Sequence, residues 1–158
     1  MRRGRRVVPL LLVLALASIA WGADPLALEG VVVRVVDGDT IHVRLGEGIE
    51  KVRYIGVNAP EVHHPRLGEQ PGGREAWDVN QSLVAGRRVQ LELDVRARDR
   101  YGRLLAYVWV GETMVNAELV ARGYAQVMTV PPNVRYQRLF LRLERYARQA
   151  GRGLWRPT

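Results

Sequence analysis

The sequence has no cysteine, a single phenylalanine and a single lysine, and it shows no internal repeat, low-complexity tract or linker. Without cysteine the fold cannot use disulfides and must rely on packing. The apolar run from Val7 to Ala20 has 14 residues, which is short for a membrane span of about 20. After this segment about 135 residues remain, enough for one domain with a real core.

Residues 1–23 are typical of a targeting segment. Four arginines among the first six residues precede the apolar run, and Ser18-Ile19-Ala20 is a small-residue cleavage candidate. The pattern predicts a cleaved signal peptide and a secreted or periplasmic protein formed by residues 24–158. The alternative is an uncleaved amino-terminal anchor.

Net charge supports a polyanionic partner only modestly. The whole chain carries +8, and residues 1–23 contain four arginines and no acid, so residues 24–158 carry +4. The arginine bias extends over the whole chain, and charge is therefore only supporting evidence.

Three separated clusters predict a site for phosphate and a metal ion. Residues 37–40 place two carboxylates on a tight turn, residues 53–61 hold an arginine and a glutamate after a proline, and residues 99–103 form a turn ending in arginine. Metal-assisted cleavage of a phosphodiester needs hard oxygen ligands, fixed positive charge and a carboxylate near water.

A predicted hairpin brings the first two clusters together. Residues 31–36, 41–45 and 51–57 have strand patterns, and a turn signal at residues 46–48 separates the last two. Centring the turn on Glu47 or Gly48 makes paired residue numbers sum to about 95, give or take one.

This register has consequences for the site. It places Arg53 opposite Ile41 or the neighbourhood of Thr40, and residues 57–58 opposite residues 36–37. The hairpin would thus carry Arg53, Asn58 and Glu61 back beside Asp39.

A second hairpin is predicted from residues 89–95 and 103–110. Its connection, residues 96–102, contains three arginines and a glycine. Such a tip is a plausible anion contact, and Arg103, as the first residue of the returning strand, should be held more rigidly than the loop arginines.

Helices are expected in the remaining segments. One covers Pro71 to Ala85, a short one is capped by Asn116 and ends before Gly123, and a longer one is capped by Asn133 and ends at Gly151. The fold class is therefore mainly β with helices (α+β): an OB-fold, that is, a five-stranded β-barrel with about three α-helices.

The chain resembles the staphylococcal nuclease (thermonuclease) family. The resemblance rests on residues 35–40, 53–61 and 99–107, with further matches in residues 114–123 and 144–155, in family order over nearly everything after residue 28. It implies a Ca²⁺-dependent endonuclease that hydrolyses DNA and RNA, breaks the 5′ P–O bond and leaves 3′-phosphates. We expect a monomer that prefers single strands and has no obligate protein partner.

The resemblance also implies a set of metal ligands. Asp39 would be the principal Ca²⁺ carboxylate, with the Asn58 side chain and the Ala59 carbonyl completing the protein ligands. Asn58 stands where the family commonly has aspartate, so it brings no charge and we expect weaker metal affinity.

Catalytic and binding roles carry over in the same way. The resemblance implies that Arg53 and Arg103 hold the scissile phosphate, that Glu61 is general base, and that Arg100 and Tyr101 touch the nucleotide's terminal phosphate. Where the best-known member of the family has tyrosines that flank the base, this chain has Thr129 and Pro131, which leaves the usual base preference unsupported.

Each motif taken alone also has a purely structural interpretation. Residues 37–39 could be an ordinary turn, Arg53 an ordinary strand arginine, and residues 99–103 a solvated loop. His63 and His64 are adjacent and are interpreted as loop residues, not as zinc ligands. The large aromatic side chains, such as Trp77 and Trp109, are interpreted as core. Two rival functions remain: a non-catalytic nucleic-acid-binding OB module, for which Asn58 is the support, and a membrane-anchored interaction domain.

Overall fold

The computed structural model describes residues 27–64, 66 and 68–157. The predicted signal peptide, with its alternative as an anchor, lies outside these residues. Within them, no helix has the length and apolar character that crossing a membrane requires.

Eight strands, three α-helices and a short 3₁₀ turn alternate along the described chain. The strands are β1 (Ala27–Asp37), β2 (Thr40–Leu45), β3 (Gly48–Tyr54), β4 (Val57–Asn58), β5 (Arg88–Glu92), β6 (Leu104–Val110), β7 (Thr113–Met114) and β8 (Gln126–Val127). The helices are α1 (Gly73–Val84), α2 (Val115–Ala121) and α3 (Gln137–Gln149), and the 3₁₀ turn is Gly153–Trp155.

Five strands form a closed barrel, which confirms the predicted OB-fold. The order is β3-β2-β1-β5-β6, and a parallel pairing of β3 with β6 closes the sheet. The strand residues that face inward are β-branched or large and apolar, and they are almost fully buried. They include Val32, Val35, Ile41, Val43, Val52, Val89, Leu91, Leu104 and Val108.

The long strand β1 links both halves of the barrel. Residues 27–31 pair with β5, and residues 31–37 pair with β2. Register shifts between Val32 and Arg34 and between Val35 and Asp37 interrupt the second pairing. Irregularities of this kind bend a strand, and here the last one lies directly before the Asp37–Thr40 turn.

The hairpin of β2 and β3 has a different register from the one expected. Thr40 pairs with Arg53 and Leu45 with Gly48, so paired numbers sum to 93 rather than about 95. The turn is a tight one at Gly46 and Glu47, in which Gly46 takes a φ of 58° as the first residue of such turns can. The expected pairing of residues 57–58 with residues 36–37 is wrong, because β4 pairs with β8 instead.

The second hairpin is shorter than predicted. β5 ends at Glu92, and β6 begins at Leu104, so Arg103 lies one residue before the strand and not within it. Val95, expected in the strand, is exposed in the connection. The pairing itself is antiparallel, with Leu91 opposite Val108.

Asn116 and Asn133, predicted to cap α2 and α3, are not the N-cap residues of these helices. The helices α2 and α3 follow Met114 and Tyr136. Asn116 is buried inside α2, where its Oδ1 accepts a hydrogen bond from Val108 N at 2.9 Å. Asn133 binds the backbone N and O of Arg96 instead. Both side chains satisfy backbone groups of distant segments, a demand that local sequence does not reveal.

Candidate active site

The turn between β1 and β2 places two carboxylates at the end of the barrel. The Asp39 N–H donates to Asp37 Oδ1 at 3.1 Å, which fixes the turn locally. From α1, Asn80 Nδ2 donates to the Asp37 carbonyl at 2.9 Å. A Cβ on Gly38 would lie 2.5 Å from Ala59 Cβ, so only glycine lets the segment of Ala59 pack against this turn.

Arg53 is buried and fully engaged by the neighbouring segment. Its Nη1 donates to the carbonyls of Tyr54 and Val57 at 2.7 and 2.8 Å. Its Nη2 lies 3.1 Å from both Asn58 Oδ1 and Asp39 Oδ2. These contacts fix the orientation of the guanidinium, which links Asp39 of the first cluster to the residues of the second cluster.

Asp39 is a buried carboxylate with several donors around it. Ala59 N donates to Oδ2 at 2.7 Å, and Thr40 Oγ1 donates to Oδ1 at 3.0 Å. Burial raises the pKa of Asp39 to about 6, and the negative charge of Asp37 adds to this, although the Arg53 guanidinium opposes it. The ion pair with Arg53 therefore does not fully compensate the cost of burying the negative charge of Asp39.

The oxygen atoms of this site are of the kind that bind a hard divalent cation. Asp39 Oδ2 and Asn58 Oδ1 lie near each other, since both are 3.1 Å from Arg53 Nη2, and Ca²⁺ prefers carboxylate, amide and carbonyl oxygens together with water. The raised pKa of Asp39 is a second sign that added positive charge would be favourable here. The described residues contain no group of three or more histidine, aspartate and glutamate side chains arranged to hold a metal, so water would complete the ligand set.

Glu61 lies close to this centre in the chain but does not contact it. Its side chain is exposed, and its backbone N donates to Gln70 Oε1 at 2.8 Å while its carbonyl accepts from Gln70 N at 2.9 Å. These two hydrogen bonds fix the backbone of Glu61, two residues after Ala59, while its carboxylate remains exposed to solvent. Neighbouring His63 and His64 lie in the same loop.

Arg103 is held by Asp99. Its Nε donates to Asp99 Oδ2 at 2.7 Å, and its backbone N donates to Asp99 Oδ1 at 3.0 Å. Partial burial acts to raise the pKa of Asp99, but the hydrogen bonds from Arg103 and from the backbone N of Tyr101 outweigh it and keep this pKa below its usual value. Arg103 is thus rigid although it precedes the strand.

A cavity of about 400 Å³ joins the second and third clusters. Arg53 and Arg103 both line it, and so do Arg100 and Tyr101, which are exposed and contact each other. The parallel pairing of β3 and β6 produces this proximity, since Arg53 is opposite Leu105. Apolar side chains complete the wall, namely Ile55, Leu105, Met128 and Val130.

Sequence patterns identified the main charged groups but missed three that support them. The sequence places Thr40 in the turn but does not reveal its bond to Asp39, and it gives no sign that Asn80 supports this turn. The sequence places Asp99 in a turn, and because the four-residue spacing of an acid and a base is meaningful only in a helix, no local pattern reveals its pairing with Arg103. Met128 and Val130 carry no local signal for a cavity wall.

The fold and the site define a class of protein: an OB-fold barrel with a carboxylate, an amide and two fixed arginines at one end. Residues 51–157 match the family described as "Staphylococcal nuclease homologue". That match covers more than half of the chain, and the chain belongs to the staphylococcal nuclease family, as its motifs predicted.

Curated relatives give the same result. A thermonuclease of Staphylococcus hyicus is 39% identical over 124 residues, which are 78% of this chain and 73% of that protein. Endonuclease YncB of Bacillus subtilis (strain 168) is 40% identical over 77% of this chain and 59% of its own length. An uncharacterized endonuclease of Escherichia coli O157:H7 is 35% identical over 96% of this chain and 90% of its own.

Proposed function

We propose that this protein is a secreted or periplasmic, Ca²⁺-dependent endonuclease that hydrolyses DNA and RNA. Membership of the family and relatives named as thermonuclease and endonucleases support the nuclease activity. The observation that carries the proposal is the single Arg53 nitrogen that contacts both Asp39 and Asn58, beside a cavity shared with Arg103.

The reaction adds water across a phosphodiester. The water oxygen bonds to phosphorus, the bond from phosphorus to the 5′ oxygen breaks, and the products are a 3′-phosphate and a 5′-hydroxyl. Glu61 is exposed to solvent two residues after the proposed Ca²⁺ ligand Ala59, and it would accept the proton of the attacking water. The leaving 5′ oxygen takes a proton from solvent.

The two arginines would supply fixed positive charge to the phosphate. Arg53 is oriented by two backbone carbonyls and Arg103 by Asp99, so neither has to reorganise when charge develops on the phosphoryl oxygens. Arg100 and Tyr101, at the outer rim of the cavity, would contact the terminal phosphate of a nucleotide.

Asp39, Asn58 and the Ala59 carbonyl would hold the metal ion. When bound, Ca²⁺ supplies a divalent charge close to the phosphate oxygens and to the attacking water. Asn58 replaces a charged ligand with a neutral one, so the site would be weak. A site of about 10⁻⁴ to 10⁻³ M still fills where extracellular Ca²⁺ is plentiful.

The test is digestion of single-stranded DNA and RNA by the purified protein, with Ca²⁺ and with a calcium chelator. We expect cleavage only with Ca²⁺, and fragments that a polymerase extends only after treatment with a 3′-phosphatase. Cleavage that ignores the chelator would overturn the metal assignment. Binding without cleavage under any metal would support the rival function, a nucleic-acid-binding OB module.

A further inference from the structure

The net positive charge of the domain arises at one end of the chain, although arginines occur throughout it. Residues 135–156 contain seven arginines and one glutamate. Residues 27–134 contain 13 arginines and lysines against 14 aspartates and glutamates. The net positive charge of the described domain therefore comes entirely from a segment in which none of the proposed catalytic residues lies.

Three of these arginines form a stripe on the outer face of α3. The inner face is fixed by the burial of Phe140 and Ala147. Arg138, Arg142 and Arg145 are exposed and spaced four and three residues apart, which places them side by side on the opposite face. We call these three residues the α3 stripe.

The α3 stripe has no ion-pair partner in the described part of the chain. Other arginines of the segment have partners there: Arg148 pairs with Glu144 at 3.3 Å, and Arg152 Nη2 donates to Tyr146 Oη at 3.0 Å. Within the same residues, no hydrogen bond or ion pair involves a guanidinium of the stripe. Like charges at this spacing repel each other and destabilise a helix, and no ion pair among the described residues offsets that repulsion.

The stripe lies near the proposed active site but outside it. Asn58 on β4 pairs with Gln126 on β8, and the next residue, Val127, donates its N–H to Glu144 Oε1 on α3 at 2.9 Å. One strand thus separates Asn58 from the helix. With usual strand and helix spacings, the outer face of α3 lies about 15–20 Å from Asn58.

We propose that the α3 stripe binds backbone phosphates of a long nucleic-acid substrate beyond the bond that is cleaved. This inference rests on the proposed nuclease function. At about 3.4 Å of strand per nucleotide, the separation corresponds to roughly four to six nucleotides. Guanidinium groups bind phosphate oxygens through paired N–H donors, and three in a row would hold a strand without reading its bases.

An anionic membrane is a less suitable partner for this face. A helix that lies in a membrane surface inserts an apolar face between the lipids. The apolar face of α3, with Phe140 and Ala147, is buried against the domain. The stripe is therefore suited to a soluble polyanion.

Binding can be measured without any cleavage. A triple variant, Arg138→Gln, Arg142→Gln and Arg145→Gln, keeps good helix formers in α3. The matched control is Arg34→Gln, Arg44→Gln and Arg88→Gln, three exposed arginines of β1, β2 and β5 that lose the same charge. Circular dichroism verifies that both variants are folded.

The probes are fluorescent single-stranded DNA of 30 and of 3 nucleotides, titrated in calcium chelator at several salt concentrations. For the 30-mer, loss of three phosphate contacts should lower the salt slope of log K by about 2 and weaken binding about 10- to 100-fold near 0.1 M salt. The 3-mer should bind equally to wild type and to the stripe variant. The control should retain most of the wild-type affinity for the 30-mer.

Three results would overturn the proposal: equal loss in both triple variants, equal loss for the 3-mer and the 30-mer, or no loss at all. Binding to anionic lipid vesicles that depends on the stripe, with unchanged binding of the 30-mer, would assign the surface to a membrane instead. Because the assay uses chelator, its outcome is separate from the question of whether the protein cleaves nucleic acid.

Discussion

Asp99 binds Arg103 twice, through the side-chain Nε at 2.7 Å and through the backbone N at 3.0 Å. A single carboxylate therefore fixes both the guanidinium and the chain from which it projects. Arg103 also lies 5.5 Å from the ring of Tyr101, measured to its centroid, so its position is set on two sides. This makes Asp99 a positioning residue for a proposed phosphate contact.

We first predict that Asp99→Asn lowers kcat about 10-fold with little change in KM, because Arg103 remains but loses its fixed orientation. Arg103→Ala should cost about 10²-fold or more, as does the loss of a charge contact made in the transition state. In the double variant the effects should not add, since Asp99 acts through Arg103. Additive losses would show that Asp99 has another role.

The second prediction concerns stability in acid. The folded-state pKa of Asp99 is lowered, so its contribution to the free energy of unfolding is present above about pH 4 and is lost as the pH falls through the folded pKa. Asp99→Asn should therefore destabilise the protein at pH 6 more than at pH 2.5. Urea unfolding at both pH values measures this. An equal loss at both would mean that the pairing contributes nothing.

The third prediction concerns Arg53. Arg53→Ala should reduce turnover about 10²-fold or more. Arg53→Lys should not restore it, because an ammonium cannot reach two carbonyls, a carboxylate and an amide at once as the guanidinium does. Arg98 is a suitable control, since it is exposed and pairs with Glu50 on the outside of the barrel. If Arg98→Ala slowed saturated turnover as much, the assignment of Arg53 would be wrong.

The fourth prediction concerns the metal ligands. Asp39→Ala should abolish Ca²⁺-dependent cleavage, because it removes the only proposed ligand that carries a charge. Asn58→Asp should lower the Ca²⁺ concentration at half-maximal activity, because a second carboxylate increases affinity for the ion. Isothermal titration with Ca²⁺ provides a readout independent of turnover. Unchanged or weaker Ca²⁺ binding by Asn58→Asp would show that Asn58 is not a ligand.

The fifth prediction concerns the start of the mature chain. Mass spectrometry of the natively exported protein should find an amino terminus between Trp21 and Asp24, just before β1. Residues 24–158 should carry the activity. An intact peptide from Val7 through Asp24 in membrane fractions would show that the segment is a retained anchor.

The barrel was predictable from sequence because its strands have local patterns. The β-branched residues of β1 and the alternation in β2 mark strands whichever partner they pair with, and the glycine at position 46 marks the turn. The exact register was not predictable, because residues 46–48 permit turns of different length and only the folded pairing selects the turn of two residues.

For the candidate site, the sequence indicated charged groups that the fold brings close together, but not the residues that support them. Asp39, Arg53 and Arg103 stand in recognisable motifs. The hydrogen bonds of Asn116 and Asn133, by contrast, reach backbone groups 61 and 37 residues away. Both asparagines were therefore misread as helix caps, a role that depends only on neighbouring residues.

The parallel pairing of β3 with β6 brings together residues 52 positions apart, such as Arg53 and Leu105. Arg53 and Arg103 therefore share one cavity only once this long-range pairing has formed. A newly made chain thus carries every proposed catalytic side chain without an assembled site. For the exported nuclease proposed above, folding itself would be the activation step, and nucleic acids inside the cell would be spared while the chain is still unfolded.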